Sequence, residues 1–256
     1  MTTVRTLIYV AVVRHWPLYQ MDVKNAFLNG HLTEEAAVTK LGFHPSAFDS
    51  ALFLRHTLTG FVALLLYVDD MITTGFDSSA ISEVKQHLFH TFKIKDVGLL
   101  WYFLSIEVVF SPKGFLSQAK YANEVIHCAG LADIKVSNAL IKLNVKLNST
   151  DGIPLDDPTF YCELVGCLVY LTVTCPNLAY AVHVVSKFIS THRSIHWAAL
   201  VCILRYLRGT IFLGLLLSST FSLDLVAYVD SDWAGDVNDR KSTSSFYMFL
   251  GDSLIS

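Results

Sequence analysis

Between Thr2 and Arg14 the apolar residues fall at Val4, Leu7, Ile8, Ala11 and Val12, a spacing that predicts a helix. Beyond Pro17, Leu18 to Val23 reads as a strand, and Lys24 to Leu28 as a short helix ended by Asn29-Gly30. Thr33 to Phe48 is less regular. Phe61 to Val68 and Met71 to Gly75 are two short strands joined at Asp69-Asp70, the pattern of a hairpin. Ser78 to Phe92 is an amphipathic helix with Ile81, Val84, Leu88 and Phe92 on one face and Asp77, Ser78 or Ser79 as its cap. Leu99 to Phe110, rich in aromatic and branched residues, reads as one strand, turned by Pro112-Lys113-Gly114. Ala119 to Ala129 is a helix ended by Gly130.

Residues 131–158 are polar and carry Asn144, Asn148, Asp151-Gly152 and Pro154, which predicts a linker. Thr159 to Val173, Leu178 to Ser190 and Ser194 to Leu207 follow as apolar helices, the first two separated by Cys175-Pro176. Leu223 to Asp230 and Thr243 to Leu250 are strands around an acidic turn. The order of elements in the first part of the chain fits a split βαβ unit, in which strand ends distant in sequence lie side by side.

The chain has 256 residues and is 53% hydrophobic, enough for one large or two small cores. Its apolar runs are far shorter than the ~20 residues that span a bilayer, and no signal-peptide pattern opens it. An intracellular protein with no membrane partner is expected. Five cysteines without Cys-x-x-Cys spacing predict reduced thiols. A net charge of −3 argues against tight nucleic-acid binding through a basic face.

The candidate chemistry sits at two strand ends. Tyr67-Val68-Asp69-Asp70 closes an apolar run with no Lys or Arg inside it, and Asp22 ends another. Three carboxylates on two strand ends suit a site for hard divalent cations, which take oxygen ligands and drive phosphoryl transfer in pairs. His192 and His196 are spaced for one helix face, but without a Cys or acidic partner they read as a surface pair. Asp230, Asp232 and Asp236 read as a solvated turn. Trp101, Tyr102 and Phe103 read as core, and Arg205 and Arg208 as an exposed helix face.

Several segments resemble the reverse transcriptase region of copia-type retrotransposon Pol polyproteins. Gln20-Met21-Asp22-Val23-Lys24-Asn25-Ala26-Phe27-Leu28-Asn29-Gly30 is similar to the first catalytic motif, and Tyr67-Val68-Asp69-Asp70 to the second. Phe92 to Gly98 and Tyr102 to Glu107 are similar to the next two segments. Tyr161 to Val169, Leu178 to Val182 and Ile203 to Thr210 resemble the connecting region. Tyr228 to Gly235 and Asp239 to Thr243 resemble the start of a ribonuclease H domain.

The resemblance implies an α+β fold: a reverse-transcriptase-type palm (residues 1–130), a linker (131–158), a helical connection (159–220) and opening ribonuclease H-like strands (221–256). It implies Asp22 and Asp69 as metal ligands, with Asp70 completing the catalytic acids. Phe27 would lie under the incoming sugar, Tyr67 would line the substrate site, and Lys95 would assist pyrophosphate departure. Leu104 to Ile106 would touch the primer end. Asp230 would be a ribonuclease H ligand. Two Mg²⁺ or Mn²⁺ ions, an RNA or DNA template-primer and deoxynucleoside triphosphates are implied, in the cytoplasm or a virus-like particle, with no further protein partner.

The departures define a second expectation. The family's fingers would precede Met1, and nothing between Glu35 and Leu41-Gly42-Phe43 resembles the family's longer stretch there, so an internal deletion near 35–42 is expected. Ser105 replaces a turn glycine, and Cys175-Pro176-Asn177 replaces Arg-Pro-Asp. The ribonuclease H resemblance is incomplete. A degenerate, non-catalytic relic that binds nucleic acid weakly is therefore the alternative to a working polymerase.

Overall fold

The chain begins with helix α1 (Thr2–Arg14), closed by His15 in the left-handed region (φ 55°), where Trp16 N donates to Ala11 O at 2.8 Å. This computed structural model describes residues 1–23, 38–67, 70–91, 94–109, 114–131, 135–141, 147–218, 223–235 and 240–256. The predicted helix over 24–28, the residues Phe27, Asp69 and Asp236, and the end of the helix at Phe92 lie outside these.

Six antiparallel strands form the first sheet: β1 (Leu18–Val23), β2 (His44–Pro45), β3 (Leu52–His56), β4 (Phe61–Tyr67), β5 (Asp70–Gly75) and β6 (Ile94–Leu99). Their order is β2-β3-β4-β5-β1-β6. Strand β4 is apolar on both sides because both of its faces are covered. Val62 and Leu64 meet Met21, Met71 and helix α2 (Ser78–Thr91), while Leu65 meets Leu18, Ile72 and α1. Asp77 starts α2 as expected, its Oδ1 accepting from Ser79 N at 3.1 Å and Ala80 N at 3.0 Å. The hairpin β2–β3 went unread in the sequence because its strands are short and carry Pro45.

Gly75 ends β5 at φ 155°, and a Cβ there would lie 2.3 Å from Phe61 O. Backbone cannot retreat as a flexible side chain can. Gly75→Ala is expected to lower unfolding free energy by about 2 kcal/mol or more, measured by urea denaturation.

The segment expected as one strand over Leu99 to Phe110 is instead interrupted. Strands β7 (Tyr102–Phe103) and β8 (Ile106–Val109) form a hairpin whose two-residue turn, Leu104 and Ser105, has φ 47° and 60°. Two positive φ values make the tight turn that matches strand twist, and no glycine advertised it. β8 continues through β9 (Gly114–Ser117) to β10 (Leu215–Leu217) in a four-stranded sheet.

Helices α3 (Ala119–Cys128), α4 (Pro158–Leu171), α5 (Ala179–Ser186) and α6 (Ser194–Gly209) share a core built on Tyr161, Leu168, Leu200 and Leu204. Helix α5 is shorter than expected, preceded by a 3₁₀ turn at Pro176–Leu178. The polar stretch read as a linker is docked on this cluster. Leu140, Ile141, Leu147 and Leu155 pack against the helices, and Arg193 donates from Nε to Ser149 O at 2.9 Å and from Nη1 to Gly152 O at 3.0 Å. Its polar residues turn the backbone, while its few apolar ones anchor it.

The expected surface histidine pair is corrected as well. His196 is fully buried and stacks on Phe188 at 4.0 Å, and His192 stacks on Tyr161 at 5.4 Å. A third sheet, β11 (Leu225–Ser231), β12 (Ser244–Leu250) and β13 (Ser253–Leu254), leaves Tyr228, Val229, Trp233 and Phe246 exposed. All five cysteines are free thiols. Among the described residues no helix is long and apolar enough to cross a membrane.

Candidate active site

Strand β1 is central to the site because it pairs on both edges. Asp22 lies opposite Asp70 of β5 on one side and opposite Lys95 of β6 on the other. Tyr67, ending β4, lies opposite Asp70. Alternation then fixes the faces. Tyr19 and Met21 turn toward α2, so Gln20 and Asp22 share the opposite face with Leu18. Directly paired residues project to one face, so Asp70, Tyr67 and Lys95 join them there.

Gln20 donates from Nε2 to Asp70 Oδ1 at 3.0 Å, and it is buried while Asp22 and Asp70 are half-buried. Its position two residues before Asp22, on the same strand face, was the signal that sequence reading could have used. Lys95 is exposed. A second lysine near the sheet, Lys85, is already engaged: its Nζ lies 2.6 Å from Asp96 Oδ2 and 4.3 Å from the Tyr19 ring centroid.

The β7–β8 turn adjoins this face. Tyr67 meets buried Phe103 edge-on at 6.3 Å, and the Tyr170 hydroxyl donates to Leu104 O. Burial, with Tyr67 and Tyr102 nearby, raises the Tyr170 hydroxyl above the usual tyrosine range. Phe103 and Tyr170 thus tie the turn to the acidic strand ends. Sequence reading gave them no such role, because one was read as generic core and the other lies on a distant helix. Ser105→Gly is expected to raise unfolding free energy by about 1 kcal/mol in denaturant titration, since glycine adopts its positive φ without the Cβ clash.

Asp230 is not part of this constellation. It lies exposed on β11, opposite Ser245 in the third sheet, with its Oδ1 accepting from Ser231 N at 2.9 Å. Asp232 Oδ1 accepts from Thr243 N at 2.6 Å, which closes the acidic turn. Among the described residues no group of three or more His, Cys, Asp or Glu is gathered as a metal-ligand set.

The family described as reverse transcriptase (RNA-dependent DNA polymerase) matches residues 35–142. The retrovirus-related Pol polyprotein from transposon RE2 of Arabidopsis thaliana is 33% identical over 100% of this chain, which covers 20% of that polyprotein. The corresponding polyprotein from transposon TNT 1-94 of Nicotiana tabacum is 32% identical over 99% of this chain and 23% of its own length. An uncharacterized mitochondrial protein of Arabidopsis thaliana is 40% identical over 75% of this chain and 80% of its own length. The chain spans about a fifth of the length of the Pol polyproteins it matches. No solved structure matches it significantly. The motifs around Asp22 and Asp70, carried on a mixed α/β fold with antiparallel sheets and aligned with these polyproteins along the whole chain, mean that this chain belongs to the reverse transcriptase family of copia-type retrotransposon Pol polyproteins.

Proposed function

We propose that this chain carries the palm of an RNA-directed DNA polymerase that transfers a deoxynucleotide to a primer 3′-hydroxyl. The observation that carries the reading is the register of Asp22 against Asp70 on one side and Lys95 on the other. Family members use divalent metals and bind nucleic-acid templates and nucleotides. Asp22 and Asp70 supply hard carboxylate oxygens from facing strands, a donor type that suits Mg²⁺ or Mn²⁺. Gln20 occupies one oxygen of Asp70, so a metal would be met by the other.

In this reading Asp22 and Asp69 would hold the ions, with Asp70, the next residue in sequence, completing the catalytic acids. Such ions would supply charge neutralisation and an activated hydroxyl. Phe27 would lie under the sugar and disfavour a 2′-hydroxyl. Tyr67 lines the substrate face, and Lys95 offers a cation to the departing pyrophosphate. The β7–β8 turn, held by Tyr170, positions the primer end. Residues 1–130 would be the palm, 131–158 the linker, 159–220 the helical connection, and 221–256 the opening ribonuclease H-like strands with Asp230 as the ancestral ligand.

A second reading, a non-catalytic relic, draws on other observations. The Leu104–Ser105 turn is strained, and the match to the RE2 polyprotein runs over 296 positions against 256 residues here. Primer extension on an RNA template with Mn²⁺ separates the two. Incorporation that disappears in Asp69→Asn supports the polymerase. A folded sample with no incorporation, or with equal incorporation in both proteins, overturns it in favour of the relic.

A further inference from the structure

Away from the acidic strand ends, Arg5 of α1 is buried to within 8% of full enclosure. A buried cation is costly unless it is paired. Arg5 Nη1 donates to Val173 O at 2.9 Å, but Nε is buried without a partner. Among the described residues no carboxylate, the chain terminus included, is ion-paired with Arg5. Burial alone lowers its pKa, with no acid acting in the other direction.

Arg5 borders a cavity of about 500 Å³ between the α4–α5 connection and β12. Small-molecule sites run from about 300 to 1,000 Å³. The wall contains no Asp or Glu side chain, but Ser256, which carries the terminal carboxylate, also lines it. It offers Thr243 and Ser245 as hydroxyl donors, and Tyr180 and Tyr247 as exposed aromatic faces. A guanidinium with several hydroxyls suits an anion with several acceptor oxygens, and the tyrosines suit a flat π system beside it.

We propose that the Arg5 cavity is a nucleotide-phosphate site, one that takes the phosphate against Arg5 and the base against Tyr180 or Tyr247. It is separate from the acidic strand ends and needs no divalent metal. The same chemistry is presented by a free nucleotide and by the end of a nucleic-acid strand.

Isothermal titration of the whole chain in EDTA tests this with dAMP, deoxyadenosine, inorganic phosphate and a short oligo-dT. The expected result is dAMP binding that inorganic phosphate competes away, with deoxyadenosine at least about tenfold weaker. R5Q weakens dAMP by a similar factor. Because R5Q alters a buried residue, Y180E is the second variant. Tyr180 is 76% exposed, so a carboxylate there repels phosphate without disturbing the core. Oligo-dT binding more tightly than dAMP assigns the site to a strand, and the reverse order assigns it to the free nucleotide.

Three results overturn the proposal: no dAMP binding by the wild type, equal affinity for deoxyadenosine, or unchanged affinity in folded Y180E. Asp22→Asn is expected to bind dAMP normally in EDTA. Failure of the palm reading and failure of this one are therefore distinguishable.

Discussion

Asn in place of Asp22 is expected to lower template-dependent incorporation by about 10³-fold while making the metal-free protein slightly more stable. On the proposed polymerase reading, phosphoryl transfer leaves a protein little to do beyond positioning and electrostatic stabilisation, so loss of a carboxylate that would hold metal falls on the rate almost undiluted. The stability effect has the opposite sign. Asp22 and Asp70 are directly opposite on antiparallel strands, where like charges repel. Lys95 offsets part of that repulsion from the other edge of β1. Removing one charge relieves roughly 0.2–1 kcal/mol.

Thermal unfolding in EDTA and in Mn²⁺ checks this beside primer extension. Wild type gains stability when Mn²⁺ is added, as any ligand bound only to the native state requires. Asp22→Asn starts higher and gains little. Equal Mn²⁺ stabilisation of both proteins would mean that Asp22 holds no metal. Gln20→Ala is a milder companion: it frees the Asp70 carboxylate without removing a charge, so incorporation falls while Mn²⁺ stabilisation persists.

How much of this was readable from sequence depends on the type of signal each element carries. Strand β1, the β4–β5 hairpin and α2 were legible because alternation, a helical stripe and the Asp77 cap act within a few residues of one another. The opposition of Asp22 to Asp70 follows from the pairing that this hairpin imposes on β1. The β7–β8 turn was not legible as a turn, because Leu104 and Ser105 adopt positive φ without being glycine. Resemblance alone singled out Ser105, as the replacement of a turn glycine, and its φ of 60° lies in the left-handed region that glycine favours. The docking of residues 147–157 was hidden because it depends on Arg193, forty residues away and on another element. The Arg5 cavity was equally hidden, since its walls come from three separated parts of the chain.

His196 shows how tertiary burial overrides a surface-like spacing, and it gives the second large effect. The ring is fully buried, stacked on Phe188, and its Nδ1 accepts from Arg193 N at 2.9 Å at the start of α6. An accepting Nδ1 puts the proton of the neutral ring on Nε2, and the nearby Asn148 backbone does not complete a hydrogen bond to it. Burial is the largest cause and lowers the His196 pKa; the Asn148 backbone, next in size, opposes it, Arg193 and His192 add to the lowering, and Asp151 opposes it least. His196→Ala is expected to cost about 3 kcal/mol, because it opens a cavity beside Phe188 and removes the cap. His196→Gln keeps an acceptor for the Arg193 amide and costs less.

The two variants also differ from wild type in pH dependence. Because the folded-state pKa lies below the unfolded value of about 6.5, the unfolded chain takes up the proton first on acidification. The His196 contribution is therefore whole above about pH 6.5 and drains away as pH falls toward the lowered value. Urea denaturation at neutral and mildly acidic pH should show the wild-type advantage over His196→Gln shrinking as the solution is acidified. An advantage that stayed constant or grew would mean that the buried ring is already protonated in the native state. The same shrinkage should loosen the 147–157 segment, since Arg193 holds Ser149 and Gly152 from the residue that His196 caps.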